Sequence, residues 1–115
     1  DGGVYLSLDA GKHWRYLDNL PIEQFYQVAT SATSHPWPYL VCGGLQDNNA
    51  WCGASSDYDR GGLTGAQDWF YVSGGDGQYV VPAPSDAGMI YATTDDGYAT
   101  VLNRATGFRR GINPY

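Results

Sequence analysis

Two short segments combine carboxylates, amides and neighbouring aromatic rings, which are the groups that bind sugars and peptides. In the first, Trp51 follows a run of four polar residues; in the second, Asp76 lies among glycines shortly before Tyr79. Amides and carboxylates hydrogen-bond ligand hydroxyls, and rings cover apolar ligand faces. The same residue types form turns, so turn formation alone is the alternative interpretation. The candidate binding residues are Gln46, Asp47, Asn48, Asn49, Trp51 and Asp76.

Glycoside hydrolysis is the catalysis that these carboxylates could support, because it uses two of them about 5 to 10 Å apart. Asp47 and Asp76 are the nearest candidates, but nothing in the sequence distinguishes an acid from a base. His13 and His35 lack a nucleophile in a recognisable arrangement, which disfavours a serine or cysteine hydrolase. We therefore expect binding rather than catalysis and assign no catalytic residue. A fragment of a glycoside hydrolase is the alternative.

A partial calcium loop begins at Asp57. It places Asp57, Asp59 and Asp68 at loop positions 1, 3 and 12, with Gly62 at position 6. Position 5 is Gly61, position 12 lacks the longer glutamate, and no helical pattern flanks the segment. The three aspartates are candidate calcium ligands, and no other cofactor is expected. An ordinary surface loop explains the same residues.

The two cysteines lie symmetrically about Asp47, with Cys42 and Cys52 each five residues away. A hairpin that turned at Asp47 would place them opposite each other, so we predict a disulfide, with two buried thiols as the alternative. An even number of cysteines in a disulfide suits an oxidising compartment. The chain has no Cys-x-x-Cys pair, which disfavours a zinc or redox site.

The composition limits the class of protein and its partners. The 115 residues hold 12 Asp and Glu against 6 Lys and Arg, a net charge of −6, which opposes binding to nucleic acid or an anionic membrane. No apolar run approaches the roughly 20 residues of a membrane span. Hydrophobic residues make up 43% and aromatic residues 15%, enough to bury a core. We expect a single soluble domain.

The chain predicts an all-β fold. Glu and Lys occur once each, so the chain lacks the residues that usually form the polar face of a long amphipathic helix. Short runs rich in Tyr, Val, Trp and Phe alternate with Gly, Asp, Asn and Pro clusters, which is typical of brief antiparallel strands. The predicted strands cover 4–7, 13–17, 25–30, 39–45, 50–54, 69–73, 78–82, 89–93 and 98–103.

An internal repeat favours a β-propeller. The turn at 45–49 recurs 48 residues later around 95–97. Residues 1–5 lie one such period of 48 residues before the turn at 45–49. Four short strands per period match the blades of a propeller. We predict about two and a third four-stranded antiparallel blades: the outer strands of one blade at 1–18, a complete blade at 19–76 and the start of the next at 77–115. Propellers use about 4 to 8 blades, so the chain is expected to be a segment that needs further blades in the same or another chain.

The propeller arrangement predicts where the polar segments lie. The turn between the second and third strands of a blade emerges on the same face as the link to the next blade. Residues 46–49 and 74–77 would therefore share one edge, which we call the rim. Ligands of the rim would be a glycan or a protein.

The segment Ser7-Leu8-Asp9-Ala10-Gly11-Lys12-His13-Trp14 matches S-x-D-x-G-x-x-W and resembles the Asp-box, or BNR repeat, of sialidase-like propellers. Segments 24–26, 43–48, 68–69 and 74–77 resemble secreted bacterial propellers of the Vps10 (sortilin)-like type, labelled glycosyl-hydrolase-like by fold. The resemblance implies a secreted or periplasmic protein. It also implies that Ser7, Asp9, Gly11 and Trp14 stabilise a turn away from the ligand face. Trp14 would then pack below the turn, and its truncation to Ala would cost roughly 3 to 5 kcal/mol.

Together these features predict a non-catalytic recognition and scaffold segment of a secreted Asp-box propeller. Its partners would be the remaining blades and a glycan or protein ligand, without nucleic acid and without a membrane span. A third interpretation is a structural subunit that assembles through exposed strand edges.

Overall fold

A computed structural model describes residues 3–20, 22–32, 38–56 and 68–114. This part of the chain contains strands and turns but no α-helix, so the all-β prediction is confirmed. The strands are β1 Tyr5–Leu6, β2 Arg15–Tyr16, β3 Phe25–Thr30, β4 Leu40–Leu45, β5 Ala50–Ala54, β6 Trp69–Ser73, β7 Gly77–Ala83, β8 Asp86–Thr94, β9 Ala99–Asn103 and β10 Phe108–Gly111.

The strands form a hairpin and two four-stranded antiparallel sheets. Strands β1 and β2 pair with each other; β3 to β6 form the first sheet and β7 to β10 the second, each in consecutive order. All nine predicted strands are present, with ends shifted by a few residues. The sequence did not indicate β10, which gives segment 77–115 four strands instead of the opening strands of a sheet.

The core lies between the two sheets. Strand β7 packs against β3 and β4. Ile90 and Val80 of the second sheet and Val72 of the first are almost fully buried. The remaining buried members of this cluster are Leu40, Cys42, Ala50, Cys52, Ala92 and Leu102. One apolar layer therefore holds the sheets together.

Two glycines allow the sheets to approach closely near the rim. A Cβ atom on Gly44 of β4 would lie 2.3 Å from the carbonyl oxygens of Gly77 and Gln78. A Cβ atom on Gly77 would lie 2.4 Å from the carbonyl oxygen of Asn49. Only glycine fits where two backbones come this close. This contact positions the link between the sheets against the β4–β5 turn.

The outer face of each sheet, the side turned away from the other sheet, carries exposed apolar side chains. Across the first sheet the strand register aligns Val28 with Trp51 and Tyr71, and Val28 is 57% exposed. Across the second sheet, Val81 pairs with Tyr91, and the two residues are 43% and 45% exposed. An antiparallel sheet with one solvated face normally alternates apolar and polar residues, so these outer faces are unusual for a two-layer fold.

The shape is extended for the length of the chain. The radius of gyration is 16.8 Å, whereas a compact domain of about 100 residues has about 13 Å. In the β1–β2 hairpin, Tyr5 and Tyr16 are both at least half exposed. The hairpin and the outer faces thus present much apolar surface.

Candidate functional site

The turn between β1 and β2 satisfies its own polar groups. The Ser7 hydroxyl donates to Asp9 Oδ1 at 3.0 Å and accepts from the Gly11 amide at 2.8 Å. The His13 amide donates to the same Asp9 oxygen at 2.9 Å. Ala10 and Gly11 have φ angles of 58° and 87°, the left-handed region that a tight turn uses. Ser7, Asp9 and Gly11 therefore have the stabilising contacts that the motif indicates.

The Asp9 carboxylate also contacts the His13 imidazole. Asp9 Oδ2 lies 2.5 Å from His13 Nδ1, and this side-chain contact, followed by the bond from the His13 amide, lowers the pKa of Asp9. Ser7 bonds the aspartate rather than the histidine. In a serine hydrolase the imidazole must contact the serine hydroxyl. Here Asp9 lies between Ser7 and His13, so the three side chains do not form a catalytic triad.

Trp14 is largely exposed in the described chain, so its packing below the turn stays a prediction. Its side chain is 64% exposed. It lies beside Gly11 and, with Leu6 and Leu8 among others, lines a shallow depression of about 280 Å³. The described chain provides no second layer beneath the hairpin, so the indole has no core to enter.

The predicted disulfide between Cys42 and Cys52 is present. The two residues are direct cross-strand partners in β4 and β5, with Cα atoms 4.1 Å apart, and both are fully buried. The bond ties together the two strands that carry the 46–49 turn. A covalent link just below that turn limits its movement.

The structure brings the two polar segments together at one edge. The Asp47 amide donates to Asp76 Oδ1 at 3.0 Å, and the Asn49 amide donates to the Gly75 carbonyl at 3.0 Å. Asp47 and Asn49 have φ angles of 56° and 69°, which Asp and Asn tolerate better than most residues. The predicted proximity of 46–49 and 74–77 is thus observed.

Three further polar residues at the rim were not among the predicted site residues. The Tyr26 hydroxyl donates to Asp76 Oδ2 at 3.2 Å, and the Asp95 amide donates to the Asp76 carbonyl at 3.1 Å. Glu23 accepts from the Asn48 side-chain amide at 2.7 Å. Partial burial raises the pKa of Tyr26, and its hydrogen bond to the Asp76 carboxylate raises it further. The 48-residue repeat offered a signal for Asp95, because it relates that residue to Asp47.

Trp51 supports the turn rather than standing free in the rim. Its indole N–H donates to the Asn48 carbonyl at 2.8 Å. Its ring meets that of Tyr71 edge-on, with centroids 5.9 Å apart, on the outer face of the first sheet. Tyr79, the second ring that the sequence places near the rim, is 56% exposed. Of the two rings, Tyr79 is the more accessible to a ligand.

An open groove adjoins the rim on the side of the hairpin. Its volume is about 460 Å³, within the range of small-molecule sites. The Gln46 amide donates to the Gln24 carbonyl at 3.0 Å, which places these two residues on one wall. The residues lining the groove are Gly3, Val4, Tyr16, Ile22, Glu23, Gln24 and Gln46.

The calcium prediction involves residues that are only partly described. Asp57 and Asp59 lie outside the described residues, and Asp68 directly precedes β6. Within the described ranges, no three His, Cys, Asp or Glu side chains are grouped so as to hold a metal ion. Nor does this part of the chain contain a helix long and apolar enough to cross a membrane.

The arginines near the end of the chain contact the first sheet. Arg109 donates to the carbonyls of Tyr71 and Val72 at 2.8 and 2.9 Å, and its guanidinium lies 4.7 Å from the Tyr71 ring centre. Arg104 lies over the Phe70 ring at 4.8 Å. Both arginines therefore connect the second sheet to β6.

The fold and the site together define an all-β chain with two packed antiparallel sheets, one buried disulfide and a polar rim. No family model, curated protein or solved structure matches the chain.

Proposed function

We propose that the chain is a non-catalytic recognition and scaffold segment of an Asp-box β-propeller. The exposed apolar side chains on the outer faces of both sheets are the observation that carries this proposal. A self-contained sandwich presents polar outer faces, whereas neighbouring blades cover both faces of each propeller sheet. The consecutive strand order of each sheet and the packing of β7 on β3 and β4 also agree with adjacent blades.

In this proposal the β1–β2 hairpin is the outer half of a third blade. The exposed side chains Leu6 and Trp14 would then be covered by the two missing inner strands and by a further blade. The partners are thus the remaining blades, in the same or another chain. The exposed Trp14 agrees with an incomplete blade, because the layer that would bury it is the one that is missing.

The rim and its groove would provide recognition. Gln24 and Gln46 present amides on one wall, and the half-exposed Tyr16 ring lies on the hairpin side. Glu23, Asp47, Asp76 and Asp95 give the rim a negative charge. A ligand that is neutral or cationic, such as a glycan without acidic groups or a basic protein segment, suits such a surface.

The geometry favours binding over glycoside hydrolysis. Both carboxylate oxygens of Asp76 accept hydrogen bonds, one from the Asp47 amide and one from Tyr26. Asp76 therefore holds the two segments of the rim together. A hydrolase would instead need this carboxylate to face the scissile bond or a water. The buried disulfide supports the secreted or periplasmic location that belongs to this proposal.

Charged substitutions on the outer faces test the scaffold proposal. The unaltered chain should bind a hydrophobic dye, and Val28→Lys combined with Tyr91→Lys should reduce the dye signal without lowering the unfolding midpoint. Ala105→Lys, in the exposed β9–β10 turn, is the matched control and should leave the dye signal unchanged. Absence of dye binding by the unaltered chain would contradict the proposal, as would loss of folding in the double variant.

Glutamine substitutions test recognition by the rim. A panel of neutral oligosaccharides and lysine-rich peptides, screened by calorimetry, should contain a ligand whose binding weakens in Gln46→Ala. Gln27→Ala on β3, outside the groove lining, is the matched control and should bind normally. Undiminished binding in a combined Gln46→Ala and Asp47→Asn variant would reject the rim as the binding surface.

A further inference from the structure

The β1–β2 hairpin holds two tyrosine rings in contact. Tyr5 and Tyr16 are direct cross-strand partners, and their ring centroids lie 5.0 Å apart. The two residues are 54% and 50% exposed. A Cβ atom on Gly3 would lie 2.4 Å from the Tyr16 ring, so the Gly3 backbone restricts that ring on one side. Two phenols are therefore both close to each other and open to a reagent.

We propose that Tyr5 and Tyr16 form an oxidative modification site at which the two rings couple to dityrosine. The oxidant is a haem-peroxidase-type one-electron oxidant that uses hydrogen peroxide. Each phenol loses one electron and one proton to give a tyrosyl radical, and the radicals join through a carbon–carbon bond between the positions beside the hydroxyls. The two ring protons shift to restore the phenols. The two electrons and two protons reduce one peroxide to two waters, so the chain loses two hydrogen atoms.

The position of the pair gives the cross-link a structural effect. Each hairpin strand has only two residues, and an isolated two-stranded hairpin is marginally stable in water. The disulfide lies in the first sheet and leaves the hairpin without a covalent link. A bond between Tyr5 and Tyr16 would restrict the unfolded hairpin in the way that a disulfide restricts a loop.

Three other tyrosines within the described ranges have different surroundings. Tyr26 donates its hydroxyl to Asp76, and the Tyr71 ring is covered by Arg109. Tyr91 is exposed on the second sheet. Among the described residues, Tyr5 and Tyr16 are the only tyrosine rings in contact with each other. Coupling within one chain should therefore favour this pair.

Dilute full-length chain treated with a haem peroxidase and hydrogen peroxide tests the proposal. The monomer isolated by gel filtration should show dityrosine fluorescence and a mass lower by two hydrogens, and peptide mapping should join Tyr5 to Tyr16. The Leu17 amide, which donates to the Val4 carbonyl beside the pair, should exchange more slowly after coupling.

Phenylalanine variants provide the controls, because they keep the ring and remove the phenol. Tyr5→Phe and Tyr16→Phe should each lose the monomer cross-link, while Tyr91→Phe should retain it. A cross-link mapped to other tyrosines, or a fluorescent product found only in dimers, would overturn the proposal. Retention of the monomer cross-link in Tyr16→Phe would also overturn it.

Discussion

Replacing Gly44 by Ala tests whether the two sheets pack as closely as the structure indicates. The new Cβ would lie 2.3 Å from the carbonyl oxygens of Gly77 and Gln78, well inside the ~3.5 to 4.0 Å of a normal non-bonded contact. These obstacles are backbone atoms, which no rotamer change can remove. Strand β7 must therefore move away from β4.

The expected loss of stability follows from this forced separation. Overpacking a core costs roughly 1 to 3 kcal/mol, and the rigid backbone obstacle places Gly44→Ala at the upper end of that range. Movement of β7 would also lengthen the bond from the Asp47 amide to Asp76, at about 1 kcal/mol for a typical hydrogen bond. We expect a total of about 3 to 4 kcal/mol, a large share of the roughly 5 to 15 kcal/mol that stabilises a domain.

Urea denaturation measures this loss, and Gly111→Ala is the matched control. Gly111 lies in β10, where the nearest heavy atom to an added Cβ is 4.0 Å away. The control should stay within about 0.5 kcal/mol of the unaltered chain. If Gly44→Ala were equally mild and left the Asp47 amide resonance unchanged, the close approach of the sheets would be refuted.

Three further predictions concern the disulfide and the hairpin turn. Replacing both Cys42 and Cys52 by Ala should lower the free energy of unfolding by about 3 kcal/mol, because the bond links residues 10 apart in sequence and restricts the unfolded chain; reductant should affect only the unaltered chain, and equal stability of both proteins would contradict this. The lowered pKa of Asp9 means that its contribution to hairpin stability is present above the ordinary value of 3.8 and is lost as pH falls through the lower folded value. NMR of the His13 amide should follow that loss, and Asp9→Asn should remove the pH dependence; an identical titration in both would argue against the carboxylate. Trp14→Ala should cost under about 1 kcal/mol by thermal denaturation, because the side chain is already mostly exposed; a loss near 3 kcal/mol would show that Trp14 is buried.

Strand β10 shows which kind of strand a sequence pattern cannot predict. All four of its residues are exposed, and two of them are arginines, so it has no apolar alternation to recognise. It pairs with β9, and Arg109 reaches across to the carbonyls of β6. Those acceptors are 37 and 38 residues away along the chain. No local pattern contains that information.

The rim was predictable only in part, for the same reason. The predicted blade arrangement placed Asp47 and Asp76 at one edge, but it gave no role to Tyr26, whose hydroxyl bonds Asp76 from 50 residues away. Trp51 was a predicted ligand contact, yet its N–H is used by the Asn48 carbonyl. Side-chain partners of this kind depend on how the sheets pack.

The sequence by itself determined nine of the ten described strands, the self-satisfied turn at Ser7 and Asp9, and the pairing of Cys42 with Cys52. These features depend on residues a few positions apart or on the symmetry of a hairpin. Such interactions form whenever the local segment folds, whatever packs against it. Only the tertiary structure decided that Gly44 meets Gly77 and that Trp14 is exposed. Whether a residue is buried, and how closely two backbones approach, depends on which surfaces pack together. The neighbours of a residue in the chain do not reveal which surface will cover it.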